Sequence, residues 1–478
     1  MFRKGALKIG NKEFSLSFIL SVSSSIVGAI FSILAAKFLG SNLYGQIQYY
    51  VSIVSFLSVF MLFGTDNYVI KNAQFEKKEQ ELASKSTLFV FLLSSLVLPI
   101  YFRIASSMLV KLNGDSILIT IIFIFALLLT LSTLGCSFLQ AKNKYQRKML
   151  FSSFIPHAGL LILLLIHYLT NTMDKFASLY LIYYGIFYGT YGVYFLIKNL
   201  FPLSSFFKSY QLKSILFFGL TWIFYNLTTP ISNIIIGEKY ETFGIVGIFS
   251  LSSQLLTISG LATGVISQIS NTTFAKLSKE NDVNKIFANY ERITRITIYI
   301  SIPFYAAFIA EAGNIMSFFG DSYTGYNLIL ILLTISSLIE CITGPCGSLL
   351  LMNGKEKENF FASFARFFIF LLLLFILINY TPYAAPISMI VSTTVANLLK
   401  LIFLYRCYHR NFFSKRIYLV VLGLFALSFG IFFGLSFIKN PILWAVINGI
   451  VGIGIIIGAI ILTPFKDDKK YFTKGKEI

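Results

Sequence analysis

The chain has little charge, and little else that soluble chemistry needs. Only 12% of its 478 residues are Asp, Glu, Lys or Arg, about half of what a soluble domain carries. There are four cysteines, Cys136, Cys341, Cys346 and Cys407. They show no zinc spacing, and all fall in apolar runs or near the side read below as cytoplasmic, where a disulfide is not expected. No glycine-rich phosphate loop ends in Lys-Ser or Lys-Thr, which argues against ATP as the direct energy source. No His-Glu-x-x-His, no Gly-x-Ser-x-Gly and no paired histidines occur. Neither a catalytic residue, a metal site nor a resident cofactor is expected. The longest connections, 71–85 and 272–291, are too short to hold a soluble catalytic domain. No cleaved signal peptide is expected either, because the first apolar run is too long for one.

What is abundant is apolar length. Hydrophobic residues make up 56% of the chain, and the mean hydropathy is +0.77. Runs of about 20 apolar residues read as membrane-spanning helices. Fourteen are predicted, over 14–38, 45–70, 86–108, 116–140, 149–170, 175–198, 213–236, 243–271, 292–318, 324–350, 358–379, 384–406, 416–437 and 441–463. The segments between them are alternately basic and nearly uncharged. Counting the N-terminus as first, the even-numbered segments hold only Lys37, Lys111, Lys175, Lys239 and Lys439. Taking the span ends with the segments they border, Arg103, Arg366 and Lys400 lie inside spans, and all the remaining cations lie in odd-numbered segments. The positive-inside rule then puts both termini in the cytoplasm. The net charge of +19 is spread over these loops, where anionic lipid attracts each cation by about 1 kcal/mol. No nucleic-acid partner is implied.

The sequence repeats itself. Cys136–Phe154 and Cys346–Phe364 align without gaps at an offset of 210, with identities at Cys136/Cys346, Leu139/Leu349, Asn143/Asn353, Phe151/Phe361, Ser153/Ser363 and Phe154/Phe364. Upstream, Gly114-Asp115-Ser116 matches Gly320-Asp321-Ser322, and Gly40 with Tyr44-Gly45 resembles Gly237 with Phe243-Gly244. The shift is six spans, an even number, so both halves have the same orientation. This predicts a parallel repeat about an axis along the membrane normal. The expected organisation is a cytoplasmic N-terminus (1–13), an N-lobe (14–198), a cytoplasmic linker (199–212) and a C-lobe (213–406). Two extra helices (416–463) and a basic cytoplasmic tail (464–478) follow. The extra helices carry Gly430xxxGly434 and Gly454xxxGly458, which predict close helix packing.

Several of these features together resemble a known family. They are the turn Gly40–Gly45, Phe63-Gly64 ahead of Lys71, Phe319-Gly320-Asp321-Ser322-Tyr323, and Asn353-Gly354-Lys355. In this order they are similar to the polysaccharide-export and O-antigen flippases of the multidrug/oligosaccharidyl-lipid/polysaccharide (MOP) exporter superfamily. The resemblance covers about 10–465. It implies an all-α polytopic protein with two six-helix lobes forming a V around a central cavity. It implies transport of undecaprenyl-diphosphate-linked oligosaccharide from the cytoplasmic to the outer leaflet.

Polar stripes point to a cavity independently. In span 8, Ser250, Ser253, Thr257, Gly260, Gly264, Gln268 and Asn271 recur at helical spacing. Span 1 has Ser17, Ser21, Ser24, Gly28 and Ser32, span 2 has Gln48, Ser52 and Ser55, and span 7 has Asn226 and Asn233. Such stripes face protein or water, because lipid offers no hydrogen bonds. Ser24, Ser52, Asn226, Asn233, Thr257 and Gln268 are therefore candidates for a wet lumen, with helix–helix contact as the alternative. The tyrosines of span 6, from Tyr180 to Tyr194, are read as packing residues or as sugar platforms.

Charges in the spans need a reason, since each costs roughly 3 kcal/mol or more. Lys37, Arg103, Arg366 and Lys400 are candidates for binding a diphosphate, with snorkelling as the alternative. Glu340 and Arg366 are read as a pair or as a titrating acid beside a phosphate ligand. His157 is a candidate relay or a packed residue. Asp66 is read at a helix C-terminus, where the dipole disfavours an acid, so a basic partner or a coupling-ion role is expected. Coupling to Na⁺, H⁺ or the membrane potential stays open.

The expected function is a lipid-linked oligosaccharide flippase in a bacterial cytoplasmic (inner) membrane, serving O-antigen, capsule or a related polymer. Membrane lipids surround it, and a polymerase and a chain-length regulator are the expected protein partners. One alternative is an organic-cation antiporter of the same superfamily, but no carboxylate lies deep in spans 1 or 3–6. Another is a membrane polysaccharide polymerase or glycosyltransferase, disfavoured because the outer loops are short and almost uncharged.

Overall fold

A computed structural model describes residues 11–72, 79–107, 109–112, 115–142, 144–199, 219–220, 223–224, 226–259, 274, 277, 282–410, 415–438 and 441–462. Among these residues there is no strand, and nearly all are helical. Eight helices among the described residues are long and apolar enough to cross a bilayer, or nine if one bent pair is a single span. The predicted all-α polytopic class is met. The count of fourteen remains an expectation, since much of spans 7 and 8 lies outside the described residues.

Contacts divide the chain into two compact units, Met1–Gly247 and Ile248–Ile478. The first contains α1 (Asn11–Leu62), α2 (Thr65–Asn72), α3 (Glu79–Ser107), α4 (Ser116–Ala141), α5 (Tyr145–Leu169), α6 (Met173–Asn199) and α7 (Thr228–Lys239). Helix α8 (Gly244–Ser259) carries the boundary. Spans 1 and 2 share α1, which breaks at Gly40, where φ is 72°. A side chain rarely adopts that backbone, and glycine does so freely. Helix α4 starts where the Asp115 carboxylate accepts the Ile117 and Leu118 amides at 2.9 and 3.3 Å, a side-chain N-cap.

Packing in this unit depends on close approach between helices. A Cβ on Gly192 of α6 would stand 2.6 Å from the Leu128 carbonyl oxygen of α4, so only glycine lets the two backbones meet. Leu62, Tyr68, Val90, Leu131, Phe138 and Phe195 form a buried cluster around that contact. Where α1 crosses α8, a Cβ on Gly45 would overlap the Phe243 carbonyl and lie 2.7 Å from the Gly247 nitrogen. The Asn42 side chain accepts the Phe243 amide there at 2.9 Å.

The second unit contains α9 (Val283–Ala310), α10 (Ala312–Phe319), α11 (Leu328–Thr343), α12 (Cys346–Met352), α13 (Glu356–Leu377), α14 (Ala384–Tyr408), α15 (Lys415–Leu435) and α16 (Pro441–Leu462). Asp282 caps α9 by accepting the Lys285 amide at 3.1 Å. That bond holds its carboxyl below the usual carboxylate range. Helix α9 packs on α11, α15 and α16, and α14 packs on α11 and α13.

The repeat has a local structural echo. Helix α4 and helix α12 end in similar turns, one residue out of the sequence register, with the Lys144 amide on the Leu139 carbonyl and the Lys355 amide on the Leu350 carbonyl, at 2.8 and 2.9 Å. Each copy then carries one irregularity of its own. In the first, α5 contains a π-helical turn over Leu150–Phe154 just before Pro156, where the proline lacks an amide to donate. In the second, α11 and α12 meet at a 46° bend.

Two readings of the sequence are corrected. Asp66 does not end a helix. Phe63 and Gly64 take positive φ (42° and 71°) and stop α1, so Asp66 stands in the first turn of α2, where the dipole favours an acid. The Gly430xxxGly434 and Gly454xxxGly458 pairs do not mediate close packing. A Cβ at any of the four meets nothing within 4 Å. Gly454 and Gly458 instead line an apolar groove with Tyr299, Leu424, Leu427 and Ile455.

Candidate functional site

The bend between α11 and α12 organises the charged groups of the second unit. Gly344 takes φ 70°, and Pro345 has no amide to continue the ladder. The freed Thr343 carbonyl accepts the Tyr290 hydroxyl from α9. Thr294 in turn donates to the Tyr290 carbonyl at 2.8 Å. A Cβ on Gly344 would collide with the Thr294 side chain, so sterics and backbone both require glycine there.

Charges flank this break on both sides. Glu340, one turn before it, lies 3.9 Å from Arg366 Nη1 of α13. That is the limit of an ion pair and far from a bidentate fork. The Arg366 side chain is 17% exposed and that of Glu340 49%. Beyond the break, Gly347 leaves a recess. The position its Cβ would occupy is 3.6 Å from the Lys400 ammonium of α14 and 3.2 Å from Asn359 Oδ1 of α13. The structure thus places Arg366 and Lys400, predicted separately, beside the same broken helix. Arg295 pairs with Glu291 at 3.8 Å within α9.

In the first unit the predicted residues are more dispersed. Lys37 is exposed on α1 just before the Gly40 break, and Arg103 is exposed on α3. Ser52 and Asn233 come together, with Asn233 Nδ2 donating to Ser52 Oγ at 2.8 Å, both buried. Ser24 is also buried and Asn226 is half-buried, while Thr257, which belongs to the second unit, is exposed. Gln268 lies outside the described residues. Asp66 is buried, with the Lys148 ammonium within electrostatic reach. Lys148 itself bonds Gln140.

His157 of α5 takes part in an aromatic column. Its Nε2 lies 3.1 Å from the Tyr188 hydroxyl, and its ring abuts Gly28 of α1. Tyr184 stacks on Tyr188 at 4.4 Å, and Tyr180 lies 6.0 Å from Tyr184. Tyr183 bonds His167 at 3.1 Å. These tyrosines bind α6 to its neighbours within the unit.

Sequence reasoning missed two carboxylates that each have a buried oxygen. Glu238, at the end of α7, accepts the Tyr49 hydroxyl of α1. Glu311, between α9 and α10, is 2% exposed and accepts the Trp444 indole of α16. Each is an acid within or ending an apolar run, a signal the sequence does contain. Their partners, 189 and 133 residues away, are not legible in it.

Helical bundles of this kind define a polytopic membrane protein. Comparison with solved structures gives an inward-facing multidrug resistance MATE family transporter of the MOP superfamily. Its TM-score is 0.61 at 15% identity, covering 82% of this chain and 98% of that one. The MATE multidrug transporter DinF-BH gives 0.56 at 17% identity, covering 86% and 98%. At those identities the likeness establishes the fold. A profile of the family described as polysaccharide biosynthesis protein matches residues 33–328. The chain belongs to that family, as a multi-pass membrane protein with a MOP-superfamily fold. It is also similar to the capsular polysaccharide biosynthesis protein CapF of Staphylococcus aureus, at 29% identity over 193 residues. That match covers 39% of this chain and 46% of CapF, so it spans less than half the length of that relative.

Proposed function

We propose that the protein is a flippase that moves an undecaprenyl-diphosphate-linked oligosaccharide from the cytoplasmic to the outer leaflet by alternating access. The observation that carries this reading is the placement of Arg366 and Lys400 beside the broken α11–α12 span. Such a cargo makes three demands. Its diphosphate needs cations inside the membrane, its glycan needs polar side chains, and its polyprenyl tail needs only lipid. Arg366 and Glu340 meet at 3.9 Å, the limit of an ion pair. Family membership and the capsule-related name of the Staphylococcus aureus relative support a surface polysaccharide as the product. The site is read as part of a bacterial cytoplasmic membrane protein with both termini inside. A polymerase and a chain-length regulator act next, and an ion gradient or the membrane potential drives turnover. The multidrug antiporter reading rests on fold likeness, and a cationic drug fits poorly beside two cations.

The test is a cycle of substitutions read as surface polysaccharide in cells. Arg366→Ala and Lys400→Ala should each lower it more than tenfold while the protein still accumulates in the membrane. Losing one charge-assisted hydrogen bond, roughly 1.5–3 kcal/mol, suffices for that. Arg366→Lys should restore part of the loss, since charge returns without the planar fork. If Arg366 served only to neutralise Glu340, removing both charges would restore transport. Full activity of the Arg366→Ala, Glu340→Ala double variant would overturn the phosphate-binding role.

A further inference from the structure

Among the described residues, Glu311 is a buried carboxylate with no charged side chain beside it. It joins α9 to α10, yet its side chain does not cap α10. The carboxyl is turned inward against α16 instead. Oε2 accepts the Trp444 indole N–H and, at 3.5 Å, Asn314 Nδ2. Oε1 is buried and has no partner. Asn448, one turn beyond Trp444, also borders the carboxyl, and its Oδ1 is likewise buried without a partner. Asn448 Nδ2 is engaged at 3.0 Å by the Trp444 carbonyl. Asn314 Nδ2 reaches on to the Ser436 carbonyl after α15, at 2.8 Å. The carboxyl thus ties the lobe helix α9 to both extra helices.

The groups facing it are Asn314 of α10, Trp444 and Asn448 of α16 and, through Asn314, the Ser436 carbonyl. Among the described residues none is cationic, and no charged side chain acts on the carboxyl. On α9 the titratable group closest in the chain is Tyr305, whose hydroxyl lies near Ser301 and Ser259 instead. Asp321, beyond α10, is exposed. An ionised carboxylate here would have Trp444 and Asn314 on one oxygen, Asn448 as its one further polar neighbour, no partner on the other oxygen and no countercharge. A buried anion so placed is heavily penalised. A carboxylic acid matches the observed pattern. The carbonyl oxygen Oε2 receives the donors, and a hydroxyl at Oε1 supplies the proton that this end of the cluster lacks.

We propose that Glu311 is a proton-binding site that carries its proton while α15 and α16 are docked on α9, and whose ionisation loosens that docking. The chemistry is a single proton exchanged with water, and it needs no co-reactant. This role is independent of what the protein transports.

The experiment uses the purified full-length chain in detergent micelles. The chain has two tryptophans, so Trp222→Phe leaves Trp444 as the sole indole reporter. Infrared difference spectra between this protein and its Glu311→Gln variant, at neutral pH, should show one carboxylic-acid carbonyl band that the variant lacks. Glutamine copies the shape and neutrality of the protonated acid, so Trp444 emission and melting temperature should match at neutral pH. Raising the pH should then shift the emission in the parent protein and leave Glu311→Gln unchanged. No Glu311-dependent acid band, an alkaline shift that persists in the variant, or a variant that fails to accumulate would each overturn the proposal. None of these readouts measures transport, so their failure is distinct from failure of the flippase reading.

Discussion

Replacing Gly45 or Gly247 by alanine probes the crossing of α1 and α8 where it is tightest. A Cβ on Gly45 would overlap the Phe243 carbonyl oxygen and sit 2.7 Å from the Gly247 nitrogen. A Cβ on Gly247 would overlap the Ser41 carbonyl oxygen and sit 2.9 Å from its carbonyl carbon. Ordinary contact begins at about 3.4 Å, so the backbones must part by about 0.7 Å or more. No flexible side chain stands in the way to yield instead. Overpacking of this kind costs about 1–3 kcal/mol. Separation also stretches the 2.9 Å bond from the Phe243 amide to Asn42, worth about 1 kcal/mol. Each variant should therefore lose about 2–4 kcal/mol and melt at a clearly lower temperature in detergent. One displacement of α8 relieves both overlaps, so the double variant should lose less than the sum. Gly430→Ala is the control, because its Cβ enters open space. It should cost nothing and gain up to about 1 kcal/mol of helix propensity. Wild-type melting of Gly45→Ala, or an equal loss in Gly430→Ala, would refute the reasoning.

Three further outcomes are expected. Gly344→Ala should destabilise the second unit by about 2–3 kcal/mol, through the positive φ and the collision with Thr294; a melting curve unchanged from wild type would contradict this. In a cysteine-free background, a cysteine at exposed Thr257 should react with a water-soluble thiol reagent, and one at buried Leu251 should not; equal labelling would remove α8 from any wet surface. Reporters fused near Lys144 and Lys357 should be cytoplasmic, and those near Lys239 and Asp321 external. A single reporter on the wrong side would break the fourteen-span arrangement.

The run lengths made the helical, membrane-spanning class legible, because a bilayer leaves a chain few choices. The Gly40 hinge was visible for the same kind of reason, a glycine punctuating an apolar stretch. Asp66 was misread because hydropathy runs on through Phe63-Gly64, while the backbone reverses sign there. Gly344-Pro345 sits inside an unbroken apolar run, so span 10 read as one helix and its 46° bend was not anticipated. Glu340 and Arg366 could be matched because their helices are neighbours in sequence. Lys400 could not be joined to them, since only the recess at Gly347 puts its ammonium beside Asn359. The extra helices were misjudged in the opposite direction. Their glycine pairs fit a packing motif, but α15 and α16 are anchored through Trp444, Asn314 and Glu311.

The bend at Gly344 also sets how far its span reaches. Helices α11 and α12 have 16 and 7 residues, or lengths of about 24 and 10 Å at 1.5 Å per residue. Laid end to end they would extend about 35 Å. With α11 along the membrane normal and α12 turned by 46°, the reach falls to about 31 Å, close to the roughly 30 Å of hydrocarbon in a typical bilayer. A straight span of the same sequence would overhang and have to tilt. The joint lets the angle between the two pieces absorb a change in lipid thickness, so acyl-chain length acts first on the segment that holds Glu340 on one side and Gly347 on the other.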